Sequence, residues 1–102
     1  MVDAQTIELV RVDQVSDVEI NTDVFPNPVV DYLNVSFENY NEKEVVLSIY
    51  SVSGTLLKTA LVQVENRSVK MDMSEFGVAF YLLSVATPDG SLLDTHKIQK
   101  LD

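Results

Sequence analysis

The chain has 102 residues, room for one domain. It is 46% hydrophobic and 23% charged, the composition of a globular protein rather than a disordered tail. Its 16 acids against 7 bases give a net charge of -9, which argues against nucleic acid or anionic lipid as partners; with no Cys, disulfides, thiol catalysis and zinc–thiolate sites are excluded.

Met1 opens no secretory leader, because Asp3 and Glu8 stand where a basic and then an apolar segment would be. The reading is therefore a cytoplasmic chain or a piece of a longer exported one. Thr6 to Asp13 reads as a strand, with Ile7 and Leu9 on one face. Val15 to Val24 is an acid-decorated extended segment. Residues 1–44 hold ten acids and two bases, Arg11 and Lys43. That excess fits a solvated lead-in, or a segment facing a basic partner or a divalent cation. Pro26-Asn27-Pro28 forms a rigid corner, since each Pro removes a ladder donor and restricts the residue before it.

Beyond the corner, Tyr32 to Glu38 alternates, with Leu33, Val35 and Phe37 on one face. Val45 to Val52 is β-branched and aromatic, with Val45, Leu47 and Ile49 together. Ser53-Gly54 then links two apolar runs and predicts a tight hairpin with Gly54 at positive φ. Leu56 to Val64 fits a helical stripe almost as well as a strand, but it is short and uncapped, and the hairpin favours strand. Val69, Met71 and Met73 alternate with Lys70 and Asp72. Ala79 to Thr87 puts Tyr81, Leu83 and Val85 together, Pro88-Asp89-Gly90 turns the chain, and Ser91 to about Lys100 is the last strand.

The pattern gives seven or eight short strands and predicts an all-β fold, an antiparallel β-sandwich. Its expected core is Leu33, Val35, Phe37, Leu47, Ile49, Val69, Met71, Tyr81, Leu83 and Val85. The longest apolar run, Val78 to Leu83, is far short of a membrane-spanning helix.

Catalysis finds little support. His96 is the single histidine. It shares a strand face with Asp94, yet no Gly-x-Ser-x-Gly elbow presents a nucleophile. Asp13, Asp17, Glu19 and Asp23 are dense without calcium-loop spacing. Gly54, Gly77 and Gly90 are isolated, so no phosphate loop forms. The sequons at Asn34 and Asn66 are of a kind frequent by chance. No cofactor, metal site or small-molecule substrate is expected, and the chain is read as a non-enzyme.

Three ordered signals carry a resemblance. The first is Val24-Phe25-Pro26-Asn27-Pro28 before the Leu33 strand. The second is Val45 through Tyr50 to Gly54. The third is Met71-Asp72-Met73-Ser74-Glu75-Phe76 leading to Phe80-Tyr81-Leu82-Leu83, with Lys97-Ile98-Gln99-Lys100 closing. Together they resemble the C-terminal sorting domain of the type IX (Por) secretion system. That family shows a Tyr-Pro-Asn-Pro-like start, a Tyr-x-x-x-Gly hairpin, a Ser-x-Leu-x-x-Gly-x-Tyr segment and a basic last strand. Ala79 stands where the family usually has Gly, with Gly77 two residues earlier, and the chain closes on Asp102.

The resemblance implies a non-catalytic address label for a covalently linked N-terminal cargo. Outer-membrane secretion machinery would recognise it, and a sortase-like peptidase would remove it. The cargo would cross the periplasm to the outer membrane or cell surface. Residues 1–24 would be an upstream linker, with or without an added edge strand, and residues 25–102 an antiparallel Ig-like β-sandwich of about seven strands. Cleavage would fall before Phe25. The recognition residues by resemblance are Pro26, Asn27, Pro28, Tyr50, Gly54, Tyr81, Lys97 and Lys100. Lys97 and Lys100 have opposite strand parity, so one is expected to meet an acidic neighbour and the other to be free for a partner. The alternative is an Ig-like or fibronectin-like adhesion or spacer module, with or without carbohydrate binding.

Overall fold

The computed structural model describes residues 20–102. The expected Thr6–Asp13 strand and the acids Asp13, Asp17 and Glu19 lie outside the described residues. Among the described residues seven strands follow one another: β1 (Asn21–Phe25), β2 (Tyr32–Glu38), β3 (Glu44–Ser51), β4 (Leu56–Gln63), β5 (Ser68–Asp72), β6 (Ala79–Ala86) and β7 (Leu92–Lys100). They form a three-stranded sheet in the order β1-β2-β5 and a four-stranded sheet in the order β4-β3-β6-β7. Every strand pair within the sheets is antiparallel. The chain is an all-β Ig-like sandwich. Leu56 to Gln63, ambiguous from its pattern, is a strand.

Period-2 alternation sends one face of each sheet inward. All ten expected core residues are buried, and Val29, Tyr40, Val45, Met73 and Ile98 join them. Met73 continues the Val69–Met71 parity one step past β5, and its N–H donates to the Asp31 carbonyl at 2.7 Å. Tyr40 sits beyond the end of β2. Its ring lies 5.2 Å from that of Phe37, and its hydroxyl donates to the Glu44 carbonyl at 2.5 Å.

The turn after β3 is longer than Ser53-Gly54. The strand ends at Ser51 and the next begins at Leu56. Gly54 N–H donates to the Ser51 carbonyl, and Ser51 N–H to the Thr55 carbonyl, each at 2.9 Å. This is a three-residue loop closed by a residue at positive φ, and Gly54 takes it at +97°. Thr87 to Ser91 repeats the arrangement, with Gly90 at +99°. In each loop a hydroxyl near the first residue ties the turn: Ser51 to Ser53, and Thr87 to Asp89.

Tyr81, third in β6, donates its hydroxyl to the Gly77 carbonyl at 2.7 Å. A tyrosine near the start of the sixth strand, bonded back to the preceding connection, is the tyrosine corner of Ig-like sandwiches. Phe76 packs edge-on against the same ring at 5.3 Å. Gly77 is therefore the acceptor of the corner, whereas Ala79 is the first residue of the strand.

Candidate functional site

The residues picked out by resemblance are spread from position 26 to position 100, yet most gather at one end of the four-stranded sheet. β3 leaves that end at Ser51, β6 enters it at Ala79 and β7 finishes there at Lys100. The proline corner docks on the same end through β7. Asn27 Nδ2 donates to the Lys97 carbonyl at 3.0 Å, and Asn27 Oδ1 accepts from Gln99 N–H at 2.9 Å. Val29, fully buried, continues the contact: its N–H donates to the Gln99 carbonyl and its carbonyl accepts from Leu101 N–H, both at 2.8 Å. Both prolines follow cis peptide bonds. The corner thus runs as a short parallel strip along the outer edge of β7.

Across the outer face, Tyr50 pairs with Leu82 and Leu82 with Lys97, so the three side chains form one row. The Lys97 ammonium lies over the Phe80 ring, 4.8 Å from its centre, a cation–π contact. Pro26, Pro28, Phe80 and Lys97 are exposed, and Tyr50 is half-buried. The end therefore presents an apolar surface with one cation.

The other residues of the set face inward or shape the backbone. Tyr81 is in the core, and Gly54 makes the turn beyond Tyr50. The parity argument for the two lysines holds, but their partners differ from expectation. Lys100 is 4% exposed and its ammonium donates to the Leu101 carbonyl at 2.7 Å, rather than meeting an acidic side chain. It turns inward because it shares parity with buried Ile98, while Lys97 turns outward.

The Asp94–His96 pair acquires a third member that sequence reasoning missed. Thr22 of β1 is buried, its Oγ1 donates to Asp94 Oδ2 at 2.8 Å, and the same oxygen lies 2.6 Å from His96 Nε2. Having given its own proton to Asp94, the hydroxyl accepts from His96 Nε2–H. The imidazole nitrogen beside the hydroxyl is therefore a donor and cannot serve as its base. Asp94 also approaches His96 on Nε2, at 3.4 Å, not on the opposite nitrogen. The cluster joins β1 to β7 across the two sheets. No signal in the local sequence pairs Thr22 with residues more than seventy positions away.

Asp23 is exposed on β1, and among the described residues no group of three or more His, Asp or Glu side chains could hold a metal ion. Asn34, in the first sequon, donates its side-chain amide to the Phe25 carbonyl at 3.2 Å.

The sequence matches the family described as the secretion system C-terminal sorting domain over residues 23–99. The chain belongs to this family. It is a non-catalytic type IX sorting domain that directs secretion of a cargo protein, destined for the cell surface or the exterior, and it works with the secretion machinery. The match supports sorting and not the adhesion or spacer alternative. Comparison with curated proteins gives no match. Among solved structures, a polysaccharide deacetylase from Bacillus cereus is similar at a TM-score of 0.56 and 14% identity, over 80% of this chain. The sorting domain spans 30% of that protein's length, and the likeness concerns the fold alone.

Proposed function

We propose that the sorting domain is read by the outer-membrane machinery at the end of the four-stranded sheet, through Pro26, Pro28, Tyr50 and Lys97. Asn27, Gly54, Tyr81 and Lys100 build and hold that surface. The observation that carries this reading is convergence: the Asn27 side chain bonds the corner directly to the strand that bears Lys97. Lys97 stands out in a chain of net charge -9 and sits on an apolar platform, where a desolvated ion pair contributes more than at a wet rim. The cargo precedes the domain in the chain, crosses the periplasm with it and arrives at the outer membrane. A sortase-like peptidase cuts upstream of Asn21, because β1 is paired with β2 and Thr22 is buried, and a cut inside it would remove a strand.

Removing residues 97–102 would expose the core around Ile98, so it would confuse recognition with folding. The charge variant is cleaner. The full chain is fused behind a periplasmic reporter in a host with type IX machinery, and surface reporter is measured for native, Lys97→Ala and Lys97→Glu forms. Surface delivery is expected to fall about tenfold or more for Lys97→Glu, with the isolated chain losing no more stability than one exposed cation–π contact, about 0.5–1 kcal/mol. Normal delivery by Lys97→Glu would sink the assignment of this surface.

A further inference from the structure

The two edges of the four-stranded sheet are treated differently. Along β7 most of the outward backbone is covered: the Lys97 carbonyl and Gln99 N–H by Asn27, the Gln99 carbonyl and Leu101 N–H by Val29, and the Thr95 N–H by Asp94 Oδ1 at 2.9 Å. Along β4 no such cover exists among the described residues, where β4 pairs with β3 alone. Val64 N–H donates to the Lys43 carbonyl at 2.8 Å, and Gln63 is in register with Glu44. Antiparallel bonding alternates. Val62, Ala60 and Lys58 therefore turn their backbone groups toward β3, and Gln63, Leu61 and Thr59 turn theirs to the open edge.

The edge is also chemically unusual. Unpaired strands are ordinarily kept short or charged. β1 and β5, the edges of the other sheet, have five residues each and carry exposed Asp23 and exposed Lys70 and Asp72. β4 has eight residues and no acid, in a chain of net charge -9. Its single charge, Lys58, is tied to Glu75 of the same chain at 3.2 Å. Leu61 is 59% exposed.

We propose that β4 pairs with β4 of a second copy of this chain, antiparallel about a two-fold axis at Leu61. Self-complementarity selects the occupant and the register. With the axis at Leu61, Leu61 meets its own copy and Thr59 meets Gln63, apolar on apolar and polar on polar. Lys58 falls opposite Val64, so no like charges face each other. Moving the axis to Ala60 sets Thr59 against Leu61. Moving it to Thr59 draws in Leu57, the extra residue of the bulge where Ile49 pairs with Lys58 but Tyr50 pairs with Leu56. On the outer face, the apolar row Ala86–Val46–Leu61 continues across the axis into the same row of the second copy. A single edge buries less than the roughly 1,200–2,000 Å² of standard interfaces, so the dimer is weak and concentration-dependent.

The test uses the full chain, which has no native cysteine. Leu61→Cys, Thr59→Cys and Gln63→Cys are oxidised mildly at up to about 1 mM. A bonded antiparallel pair holds its Cα atoms about 5.5 Å apart, within disulfide range, whereas residues two positions off the axis lie about 14 Å from their own copies. Leu61→Cys is expected to cross-link about tenfold faster than either other variant alone, and Thr59→Cys mixed with Gln63→Cys to cross-link as a heterodimer. By sedimentation equilibrium the native chain is expected to dimerise, and Leu61→Lys, which sets like charges together at the axis, to stay monomeric with an unchanged unfolding midpoint. A chain monomeric at 1 mM overturns the proposal, as does equal cross-linking at all three positions or a dimer that survives Leu61→Lys. A monomer that instead takes up an extended apolar peptide along β4 overturns it in favour of a different partner.

Discussion

The Asn27 side chain stands in for a neighbouring strand beside Gln99: its oxygen accepts the Gln99 N–H at 2.9 Å while its nitrogen donates to Lys97 one step away. One carboxamide thus meets both a donor and an acceptor of the exposed ladder of β7. A carboxylate cannot donate, and a hydroxyl would have to play both roles from a single atom. Between two prolines, Asn27 has few backbone alternatives, so little rotational freedom is lost in holding the geometry.

Asn27→Ala should lower stability by about 1–3 kcal/mol, two hydrogen bonds at roughly 0.5–1.5 kcal/mol each. Asn27→Asp keeps the acceptor for Gln99 and sets a carboxylate against the Lys97 carbonyl, so it should cost as much or more. Urea midpoints for the three forms check this. Equal midpoints would show that the corner holds to β7 through Val29 alone.

The tyrosine corner gives a second test. Tyr81→Phe retains the ring contact with Phe76 and removes only the hydroxyl that reaches Gly77. The expected loss is about 1–2 kcal/mol, with an unchanged denaturant slope because no extra surface opens on unfolding. A Tyr81→Phe chain as stable as the native one would mean that the corner bond is replaced by water at no cost.

Glycine positions separate conformation from space. Gly54 has φ of +97° and nothing within 4 Å of where a Cβ would stand, so Gly54→Val should cost about 1–2 kcal/mol through backbone strain alone. Gly77 has equal room without the positive φ. Gly77→Ala should therefore be neutral or stabilising by about 0.4–1 kcal/mol, by restricting the unfolded chain. Thermal or urea midpoints of the pair decide the matter; two equal losses would contradict it.

How much could be read from the sequence follows from the range of each interaction. Alternation is local, so Leu33, Val35, Leu47 and Leu83 are recognisable as inward-facing from their neighbours alone. Val29 is not, because its burial depends on a parallel bridge to Lys100 at the other end of the chain. Tyr40 likewise lies outside any strand and is buried by folding back on Phe37. Thr22 shows no local sign of meeting Asp94 and His96. The Ser53-Gly54 dipeptide predicts the positive φ correctly but not the loop length, since Val52, apolar like the strand before it, is the first residue of the loop closed by the Ser51–Thr55 pair. Leu56 to Gln63 was ambiguous for a physical reason: an edge strand is half-covered, so burial constrains its pattern weakly. The candidate surface became readable only through resemblance, because contacts such as Asn27 to Lys97 join opposite ends of the chain.

Titration supplies the last prediction. Burial, reinforced by the negative charges of Glu42, Asp89 and Glu44, raises the Tyr40 phenol above its usual value. The fold therefore favours the neutral phenol. That preference contributes stability in full below the unfolded value, about 10, and is lost as pH rises through the raised folded one. At the acid end the sign is opposite. Asp72, bonded by the Ser74 hydroxyl and N–H, and Asp89, bonded chiefly by the Thr87 hydroxyl, are held below the usual carboxylate range. Their contribution is present above about 3.9 and fades as pH falls through the lowered values. The urea midpoint of the native chain should accordingly decline above pH 10 more steeply than that of Tyr40→Phe. The variant loses the bond to the Glu44 carbonyl at every pH, so its curve starts lower and the two converge as alkali is added. Parallel curves across pH 8–11 would remove Tyr40 from the alkaline limb.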